Sequence, residues 1–139
     1  MKYAALFVLV ACGTTAAPAV PKNVQAPEKS VQLNQPGELI DVEAQLPVGY
    51  VSVVDFWGEH CGACVVVGGM LAVQVALDDG IIIRKVDVGD GFTPVAQHYK
   101  IGALPHFRVY DKHKRMRYLL VGNDTLKAPE LAKQLAAEP

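Results

Sequence analysis

The sequence predicts an α/β domain, a central mixed β-sheet flanked by helices, in which a βαβ unit is followed by a β-hairpin and a C-terminal helix. Three observations predict it. Two largely apolar runs, Val51 to Phe56 and Ile81 to Val88, have the Val- and Ile-rich character of strands buried on both faces of a sheet. The segment of about twenty residues between them is long enough for the crossover helix that parallel neighbours need. Two shorter strand-like runs, His106 to Tyr110 and Met116 to Val121, then flank the polar turn Asp111 to Arg115 and read as an antiparallel hairpin.

Taken in order, the chain opens on a targeting-type segment, residues 1–11, with Lys2 ahead of the apolar stretch Tyr3 to Ala11. It is shorter than the ~20 apolar residues that span a bilayer. Leu9-Val10-Ala11-Cys12 resembles the lipobox of bacterial lipoproteins, in which small residues precede a cysteine that is lipidated and becomes the mature N-terminus. The alternative is a plain secretory signal cleaved near Ala16-Ala17, and under both readings the domain is exported. Lipidation of Cys12 accounts for the odd member of three cysteines, since a free exposed thiol in an oxidising compartment invites intermolecular disulfides. Several acyl chains on one residue give stable attachment to a membrane surface, where one chain binds only marginally. Gly13 stands where an Asp would suggest inner-membrane retention in some bacteria, which favours the outer membrane. The expected location is a lipid anchor in the bacterial cell envelope, facing the periplasm. Residues 12–36 are Pro- and Ala-rich and read as a flexible tether, with an edge strand at Ser30 to Leu33 as the alternative; residues 37–139 form the domain.

Within the domain, Cys64 to Leu77 occupies the crossover position but is a poor helix by propensity. Val65-Val66-Val67 is β-branched, and Gly68-Gly69 costs about 1 kcal/mol per glycine relative to alanine. Thr93-Pro94 has the form of an N-cap followed by proline at the first helical position, opening a short helix to about Tyr99. Pro129 to Ala137 closes the domain as a helix with Leu131 and Leu135 on one face. At 51% hydrophobic and 19% charged residues the chain suits one packed domain rather than a disordered polymer, and a net charge of -1 gives no electrostatic footprint for nucleic acid. The short basic run Lys112 to Arg117 reads as a solvated hairpin turn.

The chemistry concentrates at Cys61-Gly62-Ala63-Cys64, a Cys-x-x-Cys directly after a buried strand and at the opening of the crossover. That placement suits a redox dithiol rather than a structural bridge. A thiolate at a helix N-terminus is stabilised by the orphan N–H groups and the positive end of the macrodipole, and a cysteine one turn on is close enough to form a small disulfide.

Val54-Asp55-Phe56-Trp57-Gly58-Glu59-His60-Cys61-Gly62-Ala63-Cys64 resembles the active-site segment of the thioredoxin family, and the similarity extends over about residues 50–137. Lys85, the run Tyr99-Lys100-Ile101-Gly102-Ala103-Leu104-Pro105 and Val121-Gly122 match in order and spacing. The resemblance implies a thioredoxin fold, supplies most of the case for the crossover helix, and assigns roles. Cys61 matches the nucleophile and Cys64 the resolving cysteine, the two forming the redox-active disulfide. Asp55 matches the buried acid that takes the proton of Cys64, and a carboxylate in an apolar strand is expected to have a raised pKa; the alternative is that it faces water at the strand end. Lys85 matches a lysine beside that acid, or else simply faces solvent. Pro105 matches a cis-proline facing the dithiol, where the backbone of Leu104 pairs with an extended substrate segment. Without the family match, Leu104-Pro105 reads only as a strand entry with a trans bond. Trp57 matches an aromatic beside the site, and core packing is its other role.

Three positions depart from the family pattern: His60 replaces a tryptophan, Ala63 a proline between the cysteines, and Gly69 a helix-kinking proline. They bear on redox potential, which the surroundings of the cysteines tune. His60, if protonated, stabilises a Cys61 thiolate, or else it is a solvated substitution. The reading is an envelope protein-disulfide oxidoreductase, working as a reductase, that needs no cofactor and binds no metal. Its expected partners are protein thiols and disulfides, a membrane electron donor and a membrane surface, with no nucleic acid, and it is read as a monomer. A competing reading has Cys61, Cys64 and His106 holding a soft ion such as Cu(I). A third is a non-catalytic adaptor of the same fold.

Overall fold

The two apolar runs lie side by side. In the computed structural model, which describes residues 25–139, β2 (Val51–Trp57) and β3 (Ile81–Asp87) pair in parallel, with Val51 opposite Ile81 and Trp57 opposite Asp87. β4 (His106–Tyr110) adds to β2 antiparallel, and β5 (Met116–Val121) to β4 as the far arm of the expected hairpin. β1 (Ser30–Gln32) pairs in parallel with the free edge of β3, giving the order β1-β3-β2-β4-β5. The sheet is mixed, as expected. The signal segment, Cys12 and the first part of the tether lie outside the described residues.

β1 shifts the start of the folded domain. It lies inside the stretch assigned to the tether, where an edge strand was the alternative, and the alternation of Ser30, Val31, Gln32 and Leu33 is what lets it half-bury one side. Just beyond it, Asn34 is buried and imitates a strand partner, accepting from the Asp87 N–H at 2.8 Å and donating to the Asp87 carbonyl at 3.0 Å. Gly37 follows with φ +76°, and a Cβ there would stand 2.6 Å from Thr93 Cγ2, so only glycine lets the chain close down on the loop after β3.

Alternation along the strands sorts side chains into two cores. Val51, Val53, Ile81, Ile83 and Phe107 pack beneath α1 (Gly62–Ala76) and α3 (Ala128–Ala137). On the opposite face Val54, Phe56 and Val86 pack with Val95 and Ala96 of α2 (Pro94–His98) and with Tyr99. The Thr93 hydroxyl caps α2 by accepting from the Ala96 N–H at 3.5 Å. In α3, Leu135 is buried and Leu131 packs against the same core.

α1 runs unbroken through Gly68-Gly69 although its local propensity is poor. Cys64, Val67, Leu71 and Val75 form a buried stripe spaced by three and four, and tertiary burial of that stripe outweighs the propensity deficit. The outer face of the helix stays apolar, with Val65, Val66, Met70 and Val73 exposed. Among the described residues no helix is long and apolar enough to cross a membrane.

The basic run at the hairpin is occupied locally. Asp111 is buried and accepts from the N–H groups of His113 and Arg115, while the Arg115 and Arg117 guanidinium groups pair with its carboxylate. Arg117 also reaches Glu138 at 2.9 Å.

Candidate functional site

The end of β2 delivers Cys61 to the N-terminus of α1. Cys61 is the N-cap, in extended conformation, and its Sγ accepts from the Cys64 N–H at 3.1 Å. Sulfur therefore occupies the place where a capping oxygen usually satisfies an orphan donor, which favours negative charge on it. Cys61 and Cys64 are joined by a disulfide, with Sγ–Sγ 2.08 Å and Cα–Cα 5.2 Å. Cys61 is partly exposed and Cys64 is buried, so an incoming sulfur reaches the first and not the second.

Asp55 lies beneath α1 at Gly68. It is 2% exposed, and its Oδ1 has no hydrogen-bond partner. Burial pushes its carboxyl up to about 6, against a smaller opposing pull from the Lys85 ammonium. The alternative of a solvent-facing Asp55 is thereby excluded. Lys85 stands directly opposite Asp55 in the β2–β3 register, and its Nζ lies over the Trp57 ring, 4.8 Å from the centroid. Trp57 is partly exposed at the end of β2, and its indole N–H donates to Gln32 Oε1 at 3.0 Å.

Two clefts flank the disulfide. One, of about 390 Å³, is lined by Ala63, Val66, Val67, Leu104, Pro105 and Leu126, with Gly122 and Asn123 completing it. The other, of about 300 Å³, is lined by Gly58, His60, Cys61, Gly89, Gly91 and Leu104 among others. Leu104 separates them, and the Leu104–Pro105 peptide is cis. The Pro105 carbonyl accepts from the Gly122 N–H at 2.9 Å, which ties the loop to the end of β5. Gly58 keeps the approach to Cys61 narrow: a Cβ there would lie 3.1 Å from the Gly89 carbonyl oxygen and 3.3 Å from Leu104 Cδ1. His60 is exposed on the rim of the smaller cleft.

The structure therefore brings together Cys61, Cys64, Asp55, Trp57, Lys85, His60, Leu104 and Pro105. His106 does not join them. It follows Pro105 in sequence, but strand alternation turns its ring to the α2 face, where it meets the Phe56 ring edge-on at a centroid distance of 5.4 Å. The Cys61, Cys64 and His106 set proposed for a soft metal is split by the sheet, and no cluster of three or more His, Cys, Asp or Glu side chains suited to a metal ion occurs among the described residues. Burial, and then the Arg108 guanidinium, lower the His106 pKa to about 4, so the ring is neutral.

Sequence reasoning missed Gln32 and Gly68. Gln32 sat in the presumed tether, and only the alternation around it marked a strand. Gly68 looked like a defect of the helix, yet it is where α1 passes over Asp55, with room for a Cβ 3.4 Å from Asp55 Oδ2.

A buried acid under the helix whose first turn carries a buried cysteine, disulfide-linked to a partly exposed one at the N-cap, is equipped for thiol–disulfide exchange. Comparisons with known proteins agree. The family model described as Thioredoxin matches residues 44–136. A thioredoxin of Coprinus comatus is 30% identical over 90 residues, covering 63% of this chain and 84% of that protein. One of Mycoplasma pneumoniae is 35% identical over 60 residues, covering 43% and 58%. Reduced Schistosoma mansoni thioredoxin pre-protein is 25% identical with a TM-score of 0.59, covering 78% of this chain and 99% of that one. Oxidised thioredoxin O1 of Arabidopsis thaliana, at 22% identity, has a TM-score of 0.64 with the same coverage and shares the fold.

Proposed function

Because this chain belongs to the thioredoxin family and is a thiol–disulfide oxidoreductase, we propose that it works as a reductase of protein disulfides in the bacterial envelope, tethered through Cys12. The observation that carries the chemistry is the partly exposed Cys61 Sγ at the N-cap, joined to buried Cys64 on the helix that passes over the unpaired Asp55 carboxyl.

In the proposed cycle the Cys61 thiolate attacks one sulfur of a substrate disulfide, forming a mixed disulfide and releasing the other substrate sulfur as a thiolate. Asp55 takes the proton of Cys64, whose thiolate then attacks Cys61 Sγ. The Cys61–Cys64 bond forms, the mixed disulfide breaks, and the second substrate thiolate leaves. Two electrons have moved from the protein to the substrate. A membrane electron donor returns them, since an oxidising compartment does not. The cleft beside Leu104 and Pro105 receives an extended, apolar substrate segment, and Trp57 borders the approach. His60 and Lys85 modulate the two reacting groups.

The envelope assignment is supported by the apolar segment 3–11, by Leu9-Val10-Ala11-Cys12, and by the Pro- and Ala-rich residues that follow, which suit a tether from the outer membrane to the periplasm-facing domain. The reductase direction is supported by the likeness to thioredoxins and by Ala63, where a histidine between the cysteines would favour oxidation. The protein acts as a monomer and takes no cofactor in this reading. The test is insulin-disulfide reduction, together with the redox state of Cys61 and Cys64 in cells. Reduction that is lost in Cys61→Ser, with a mostly reduced pair in vivo, is expected. Full activity in that variant would refute the chemistry, and a fully oxidised pair would refute the direction.

A further inference from the structure

Directly opposed Asp55 and Lys85 do not form an ion pair: among the described residues Lys85 has no carboxylate within salt-bridge distance. A lysine facing a buried carboxylate across adjacent strands is ordinarily drawn to it. Here the ammonium lies instead over the face of Trp57, at 4.8 Å from the ring centroid, where the ring quadrupole attracts a cation.

What orients that ring comes from β1. The Trp57 indole N–H donates to Gln32 Oε1 at 3.0 Å. The amide of Gln32 is itself fixed, because its Nε2 donates to Asn34 Oδ1 at 3.0 Å and to the Lys85 carbonyl at 3.2 Å. Both neighbours are acceptors at those atoms, so the nitrogen of the amide belongs there and the oxygen faces Trp57. Asn34 is in turn locked to the backbone of Asp87. A chain of contacts thus runs from Asn34 through Gln32 and Trp57 to Lys85. It starts outside residues 44–136, the part of the chain that matches the family model.

We propose that Gln32 is a positioning residue: by holding the Trp57 indole over the Lys85 ammonium, it keeps that ammonium off the Asp55 carboxyl. This rests on the reading of Asp55 as the proton acceptor for Cys64. A carboxyl left unpaired in an apolar site takes up and returns a proton near neutral pH, whereas one paired with a lysine stays ionised. The other groups around Asp55 do not substitute for Lys85. β4 presents Phe107 opposite it, α1 passes over it at Gly68, and Asp87, two residues beyond Lys85 on β3, accepts from the Gly89 N–H at 2.8 Å.

The test is a carbon-13 NMR titration of the Asp55 carboxyl in the oxidised full chain and in Gln32→Ala, each also in a Trp57→Phe background. Gln32 is exposed, so its substitution spares the core. Released from the indole, the ammonium moves to Asp55, and the titration midpoint falls by about half a unit or more in Gln32→Ala. With phenylalanine at position 57 there is no indole N–H to hold, and Gln32→Ala gives no further change. An unchanged or raised midpoint in Gln32→Ala, or an equal fall in both backgrounds, overturns the proposal. Insulin reduction by the unmodified chain is measured alongside. Its absence would overturn the reductase reading, while the titration would still decide the role of Gln32.

Discussion

Asp55 lies directly under Gly68: a Cβ added to that glycine would come 3.4 Å from Asp55 Oδ2. Gly68 is one turn beyond Cys64 on the same helix face, so α1 passes over the carboxyl there while the helix start carries the disulfide. Burial of an acid at that point costs stability.

Asp55→Asn is expected to stabilise the fold and slow the enzyme. The folded carboxyl, raised to about 6 from an ordinary 3.8, binds its proton more tightly than the unfolded one. Folding is therefore penalised once pH rises through this window, fully above about 6 and hardly at all below about 4. Removing the penalty is worth roughly 2–3 kcal/mol at pH 7 and close to nothing in acid, by the conversion of about 1.4 kcal/mol per unit. Denaturant unfolding at both pH values checks this. Single-turnover kinetics of the same variant are expected to show normal attack by Cys61 and a slowed release of the mixed disulfide.

His106 predicts the opposite pH dependence. Its folded pKa of about 4 lies below the ordinary 6.5, so the stability it contributes is complete above about 6.5 and is lost as pH falls through about 4. His106→Phe is expected to remove up to about 3 kcal/mol of that acid sensitivity in unfolding titrations. Because the ring faces away from the disulfide, insulin reduction by the variant is expected to stay within about twofold of the parent.

Val66→Lys tests the larger cleft. Val66 is 63% exposed on α1, so the fold tolerates the change, but it lines the cleft with Leu104 and Pro105. Losing that apolar contact and adding a charge is expected to raise KM for a protein disulfide about tenfold, near the 1.4 kcal/mol expected for part of a buried side chain. Reduction of a small aromatic disulfide, which does not fill the cleft, is expected to be unchanged.

Much of this was legible in the sequence for identifiable reasons. β2 and β3 announced themselves as apolar runs, and the hairpin as two runs around a polar turn, because burial on both faces leaves a local signature. Asp55 stood out as the one charge in the first of these runs. α1 was legible mostly through its likeness to a known family, since Val65-Val66-Val67 and the paired glycines argue locally against a helix and contacts distant in sequence decide for it. His106 was misplaced by adjacency to Pro105, although alternation along β4 separates neighbouring side chains to opposite faces. Gln32 lay in a Pro-rich stretch, and its partners are 25 residues away at Trp57 and 53 away at Lys85, separations that no local pattern reveals.

The division of labour between the cysteines is tested most directly by trapping. Cys64→Ser and Cys61→Ser are each incubated with a disulfide-containing protein substrate, and covalent complexes are resolved on non-reducing gels. The account predicts a stable mixed disulfide through Cys61 in Cys64→Ser and none in Cys61→Ser, where only the buried sulfur remains. Equal trapping by both variants, or by Cys61→Ser alone, would contradict it.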